Sequence, residues 1–164
     1  MMPDGYVYRQ DDERWAADTI GNTSDTLGGY GCTIASVAMA ASNLTGERVT
    51  PQRLNTKLSE NGGFTDRGWL IWGEVKSATD GAVSARFFDK PDHQDINQCM
   101  DEGGYPVIKI ILRQSIIHWV TIVGKSGDEY LIRDPLVGIE TDLPVGLSSR
   151  SDKIHAVRCI NRVN

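Results

Sequence analysis

The spacing of apolar residues changes character after residue 80. Before it, the pattern is helical. Residues 33–41 (TIASVAMAA) are small and apolar, with Ile34, Val37, Ala38 and Ala41 at the i, i+3, i+4, i+7 positions of one helix face. Asn43-Leu44-Thr45-Gly46 reads as the stop of that helix. Thr50-Pro51-Gln52 opens a second helix, with threonine at the N-cap and proline at the first helical position. It runs through Leu54 and Leu58 to Asn61-Gly62-Gly63, and a third helix is expected over residues 69–79. After residue 80 the runs are short and rich in β-branched residues. Strands are predicted at 85–88, 106–112, 116–123, 130–133 and 154–160, with one short helix at 94–102 ended by Gly103-Gly104. Residues 125–128 (KSGD) have the composition of a hairpin turn. Both faces of 116–123 are apolar, which predicts a central, covered strand. Residues 6–9 are extended, and the polar stretch 16–27 is a surface loop. Helices first and an antiparallel sheet second is the α+β order. No repeat, low-complexity segment or linker divides the chain, so residues 1–164 are read as a single domain.

Composition narrows the classes of partner. A length of 164 residues fits one domain with a real core. The net charge of -5 and the lack of a basic run argue against nucleic acid. No stretch approaches the roughly 18 apolar residues of a membrane span. The first residues, MMPDGYVYRQDDERW, show neither a basic nor an apolar signal region. Cys32, Cys99 and Cys159 are odd in number and far apart, so neither a disulfide framework nor a metal cluster is expected. The expected setting is therefore a reducing cytoplasm, or delivery without a signal peptide as in phage lysis or contact-dependent secretion.

Candidate chemistry begins at GGYGC (28–32). Three glycines lead into Cys32 at the start of the first helix, and glycine permits both positive φ and close approach of a substrate. Free N–H groups and partial positive charge at a helix start favour a thiolate over a thiol. A small core cysteine is the competing reading. Downstream, His118 lies on the strand 116–123 and Asp134 ends the returning strand just before Pro135. Folding the hairpin symmetrically about Ser126 sets His118 opposite Asp134, where a carboxylate can fix the tautomer and charge of an imidazole. A one-residue slip changes that pairing. Taken singly, His118 reads equally as a core histidine bonded to backbone, and Asp134 as a turn residue before proline. Cys99 groups with Ile96 and Met100 on the apolar side of a short helix, and Cys159 sits on the last strand with no helix after it. His93 and His155 have no aspartate placed as Asp134 is. No residue set has metal spacing, no cofactor is implied, and GGYGC lacks both the P-loop lysine and the dinucleotide fingerprint.

In this order the parts resemble a papain-like cysteine peptidase. The likeness is to the family of bacteriocin-processing, double-glycine leader peptidases and their stand-alone relatives. It is carried by Gln10 with Trp15, Gly31-Cys32 with the Ala/Met helix, Val49-Thr50-Pro51, His118-Trp119-Val120, and Tyr130 through Asp134-Pro135. The resemblance implies a papain-like α+β fold, with Cys32 as nucleophile, His118 as base and later acid, and Asp134 orienting His118. It also implies that Gln10 donates a side-chain N–H to an oxyanion hole beside the Cys32 backbone N–H. Two features depart from the family pattern. Thr33 stands where these peptidases often carry glycine, and no transporter is attached.

Three functions follow as expectations. One is a cysteine peptidase acting on peptides or isopeptides. Another is a hydrolase of cell-wall peptide cross-links, which the acidic charge disfavours. The third is a non-catalytic papain-like binding domain, which the intact set of Gln10, Cys32, His118 and Asp134 disfavours. The same set could run acyl transfer or deamidation. Substrate sequence and oligomeric state are not encoded in any motif.

Overall fold

The computed structural model describes residues 5–88, 90–136 and 143–164. The architecture is α+β. Four helices come first: α1 (Leu27–Tyr30), α2 (Cys32–Thr45), α3 (Pro51–Glu60) and the short α4 (Val75–Ala78), entered through a 3-10 turn at Trp72–Glu74. Then follow β1 (Val83–Phe87), α5 (His93–Asp101), β2 (Tyr105–Ile111), β3 (Ile117–Ser126), β4 (Glu129–Arg133), β5 (Val145–Gly146) and β6 (Ala156–Arg162). The six strands form one antiparallel sheet in the order β1-β6-β2-β3-β4-β5.

The two faces of the sheet carry separate cores. Val107, Val123 and Ile160 pack with α2, α3 and α4 on one face. Ile108, Ile110, Val120, Ile122 and Ile132 pack with Ile96 of α5 on the other. Helix α2 is the pivot of the first layer. Residues 34–42 are all buried, so its narrow side chains let the helix lie close on the sheet. Two hydrogen bonds then lock it to β3. Ser36 Oγ donates to the Trp119 carbonyl at 3.1 Å, and Thr121 Oγ1 donates to the Ser36 carbonyl at 2.7 Å. At the far end, Gly46 takes the left-handed φ of 73° that closes a helix, and its N–H returns to Ser42 O.

Helix α3 starts as expected, with the Thr50 side chain accepting from the Arg53 N–H and Pro51 in the first turn. Most strands fall within one or two residues of expectation. The third helix is shorter than expected: Leu70 bridges to Phe64, and the helical backbone begins only at Trp72. The stretch 28–31 is not a tight turn with positive φ. Thr26 caps it as the helical turn α1, and Gly31 has a φ of -86°. Glycine is needed at 31 for space, because a Cβ there would stand 2.5 Å from the Leu27 carbonyl oxygen. Strand β3 is central and covered from His118 inward, whereas Ile116 and Ile117 at its start are exposed.

The expectation of three unpaired cysteines is overturned. Cys99 and Cys159 form a disulfide, and Cys32 is the free cysteine. Separation along the chain misled the sequence reading, because α5 folds back onto the sheet beside β6. Gly104 makes the room: a Cβ there would lie 2.7 Å from Cys159 Sγ and 3.0 Å from Cys99 Sγ. Among the described residues no helix is long and apolar enough to cross a membrane.

A cross-link between residues 60 apart removes about 4 kcal/mol of chain entropy from the unfolded state. Urea denaturation of the Cys99→Ala/Cys159→Ala double variant should show a loss of that order. Alkylation of the denatured chain should modify Cys32 alone before reduction and all three cysteines after it. Three modified thiols without reduction would contradict the bond.

Candidate active site

Cys32 is the first residue of α2, and His118 is the second residue of β3. The Ser36–Trp119 and Thr121–Ser36 hydrogen bonds hold these two elements in register, so the thiol and the imidazole meet at the ends of rigid pieces. Cys32 and His118 line the same cavity, and the thiol is close enough to act on the charge of the His118 ring. The other side of the ring is committed, since His118 Nε2 lies 2.7 Å from Asp134 Oδ1 with both side chains buried. Nδ1 is therefore the nitrogen left for the thiol.

The hairpin brings Asp134 there through an irregularity. Near the turn Ser126 pairs with Glu129 and Lys125 with Tyr130. Carried on unchanged, that register would set Asp134 opposite Thr121, on the face away from His118. A bulge between Ile122 and Gly124 shifts it by one residue, so that Thr121 pairs with Arg133. Continued one step, this places Asp134 opposite Val120, on the His118 face and diagonal to it. The direct pairing of His118 with Asp134 expected from symmetry about Ser126 is thus incorrect, because the hairpin is centred between Gly127 and Asp128; the bulge then decides which face Asp134 takes. Asp134 also makes the turn expected of an Asp-Pro, with Oδ1 accepting from the Leu136 N–H at 2.9 Å.

The N-terminal segment closes the site from the side. Gln10 is buried, and its backbone N–H donates to Pro135 O at 2.9 Å, next to Asp134. Its side-chain Nε2 donates to the Gly28 carbonyl at 3.1 Å, which leaves the second amide hydrogen uncommitted in that bond. Trp15, buried, fixes this segment by donating Nε1–H to Arg9 O at 2.8 Å. Gln10, Cys32, Thr33 and His118 all line one cavity of about 620 Å³. Its walls are largely aromatic and aliphatic, with Tyr30, Trp69, Trp72, Ile117 and Trp119 among them. Trp72 and Trp119 rest on each other at 5.1 Å between ring centroids, and the Arg158 guanidinium lies over both rings.

The four residues singled out in the sequence come together around this cavity or directly behind it. The rivals do not. Cys99 and Cys159 are joined to each other, and His93 bonds the Tyr130 hydroxyl at 3.0 Å beside a second cavity that holds no cysteine. Sequence reasoning missed Arg150, whose Nε lies 3.4 Å from Asp134 Oδ2. A lone arginine in a polar stretch carries no motif by which to find it.

Electrostatics set the protonation of the pair. Burial alone would push the His118 pKa down. The hydrogen bond to Asp134, and the charges of Asp134 and Cys32, outweigh burial and push it up to about 9. Burial likewise acts to raise Asp134, but the His118 hydrogen bond and charge, the Leu136 N–H and Arg150 hold it below the ordinary value. No family model matches the chain, and no curated protein matches it.

These shifts make stability depend on pH. The raised His118 pKa stabilises the fold fully below its unfolded value of about 6.5, and that part is lost as pH rises through about 9. The lowered Asp134 pKa contributes above the ordinary carboxylate range and is lost as pH falls through its folded value. Urea midpoints should accordingly decline from pH 6.5 to 9.5 in the parent and less so in His118→Ala. Identical slopes in the two proteins would rule out a charged, Asp134-bonded His118.

Proposed function

We propose that this chain is a papain-like cysteine peptidase that cleaves peptide bonds through Cys32, His118 and Asp134. The observation that carries the reading is the buried His118–Asp134 pair, whose imidazole keeps its other face for the lone free thiol at the start of α2. A histidine kept charged at neutral pH can hold the proton that Cys32 gives up. The thiolate then attacks the scissile carbonyl carbon and forms a C–S bond. The developing oxyanion is met by the free amide hydrogen of Gln10 and by backbone N–H at the helix start. His118 returns its proton to the leaving amine as the C–N bond breaks. Water, deprotonated by His118, then releases the acid and restores the thiol. Asp134 keeps Nδ1 aimed at sulfur by holding Nε2.

The cavity supports peptides with bulky apolar side chains over cell-wall stem peptides, which are short and charged. Tyr30, Trp69 and Ile117 are each more than half exposed at its rim. Such a patch of uncovered apolar surface beside reactive groups is the usual mark of a binding groove. Of the two settings expected from the sequence, the Cys99–Cys159 bond supports delivery into an oxidising compartment over a reducing cytoplasm.

Peptide libraries and purified peptidoglycan, offered side by side, locate a substrate. With it, Cys32→Ala and His118→Ala should each abolish turnover, and the double change should be no worse, since the pair acts as a unit. Gln10→Ala should cost about two to three powers of ten in rate with the fold intact. Asp134→Asn should be milder than loss of either partner. Full activity in Cys32→Ala would end the thiol mechanism, and tight binding without turnover would favour the non-catalytic reading. The profile of kcat/KM against pH should fall on its basic side near pH 9, where His118 loses its proton.

A further inference from the structure

Asp134 uses its two carboxylate oxygens unequally. Oδ1 accepts from His118 Nε2 at 2.7 Å and from the Leu136 N–H at 2.9 Å. Oδ2 is just as buried and accepts no hydrogen bond among the described residues. What faces it is Arg150, with Nε 3.4 Å away, at ion-pair distance. A buried carboxylate oxygen without a donor is costly unless a positive charge lies beside it.

We propose that Arg150 is a positioning residue, whose guanidinium holds the Asp134 carboxylate turned so that Oδ1 stays on His118. The proposal rests on the reading of Cys32, His118 and Asp134 as a reacting set. Arg150 is itself held by a segment stapled to the strand that delivers Asp134. Strand β5 pairs Gly146 with Leu131 and Val145 with Ile132 of β4. A 3-10 turn follows at Leu147–Ser149, anchored by the buried Leu147. Ser148 donates both its N–H and its hydroxyl to Glu129 Oε1, at 2.8 and 2.6 Å. The Arg150 N–H closes the turn on Leu147 O at 2.9 Å. Both ends of the Arg150–Asp134 contact are therefore tied to β4, one by covalent sequence and one by pairing. An ion pair between groups on one frame loses little entropy in forming. The charged and titratable groups acting on Asp134 are His118 and Arg150, with Cys32 acting through the His118 ring.

The Arg150 side chain is about a quarter exposed, at 26%, so a small cation can replace it from solution. The test uses Arg150→Ala, Arg150→Gln and Arg150→Lys in the full chain. In Ala and Gln, kcat should fall roughly tenfold with KM close to the parent value, equivalent to about 1.4 kcal/mol in the barrier. Lys should recover part of the loss, and millimolar guanidinium should restore Arg150→Ala. In the same variants the Asp134 carboxyl, followed by carbon NMR, should titrate at higher pH than in the parent. A kcat within twofold of the parent and an unmoved Asp134 titration would overturn the proposal. So would a loss that follows the melting temperature and ignores guanidinium. If the parent turns over no substrate, the peptidase reading fails, while the Asp134 titration still decides whether Arg150 holds that carboxylate.

Discussion

The close approach of α2 to β3 is the constraint on which the site depends. A thiol on a helix and an imidazole on a strand are useful together only if their separation is fixed to a fraction of an ångström. Here the fixing is done one turn along from the thiol. Ser36 gives its hydroxyl hydrogen to β3, and its carbonyl takes one from Thr121. Neither bond forms unless the two backbones lie close together, which the small buried side chains of α2 permit. In a dry interior such bonds are costly to leave unmade, so sliding of the helix along the strand is penalised as a unit. The same packing that builds the core therefore sets the reacting distance.

A second tension lies in charge. His118 and Asp134 are both buried, and burial opposes the ionised form of each. The pair offsets this for both at once, because each supplies the charge that the other needs. Taken as a contribution to stability, a buried pair of this kind is a poor bargain next to two apolar residues. The proposed mechanism, in which the pair holds a charged His118 beside the thiol, accounts for its place in a covered sheet. The N-terminal segment shows the same logic. The Gln10 N–H donates to Pro135 O and Arg9 Nη2 to Leu136 O, so the segment just after β4 that carries Asp134 is braced by the residue proposed to meet the oxyanion.

Much of this was legible in the sequence, for reasons that can be named. Helix α3 declares itself through Thr50-Pro51, and α2 through an apolar run with no turn residue until Asn43. Cys32, His118 and Asp134 were legible because each occupies a chemically marked place: a helix start, an apolar strand, a strand end before proline. What stayed hidden depends on tertiary placement. The β3–β4 bulge has no residue signature at Val123, yet it decides which face Asp134 takes. The Cys99–Cys159 bond joins an apolar helix face to the last strand, and each cysteine alone looks like ordinary core. Strand β5 is two residues long, too short for any pattern, and Arg150 gains meaning only from its pairing with β4.

The chemistry and the selectivity of such a site come from different parts of the chain. Cys32, His118, Asp134 and Gln10 are held by the core and would perform the same steps on any carbonyl brought to them. What is brought depends on the cavity walls, and those belong to segments outside the main elements, such as Tyr30 of α1 and the loop carrying Trp69. A double-glycine sequence offers no side chain to fill a space of about 620 Å³ edged by exposed aromatic rings. An apolar side chain does, and its burial against those rings at roughly 25 cal/mol per Å² would supply binding that glycine cannot. Thr33 lines the same cavity as Cys32, where a glycine would contribute no side chain. On the proposed reading, the resemblance to leader peptidases rests on the reacting groups, and the groove is proposed to take a bulkier peptide.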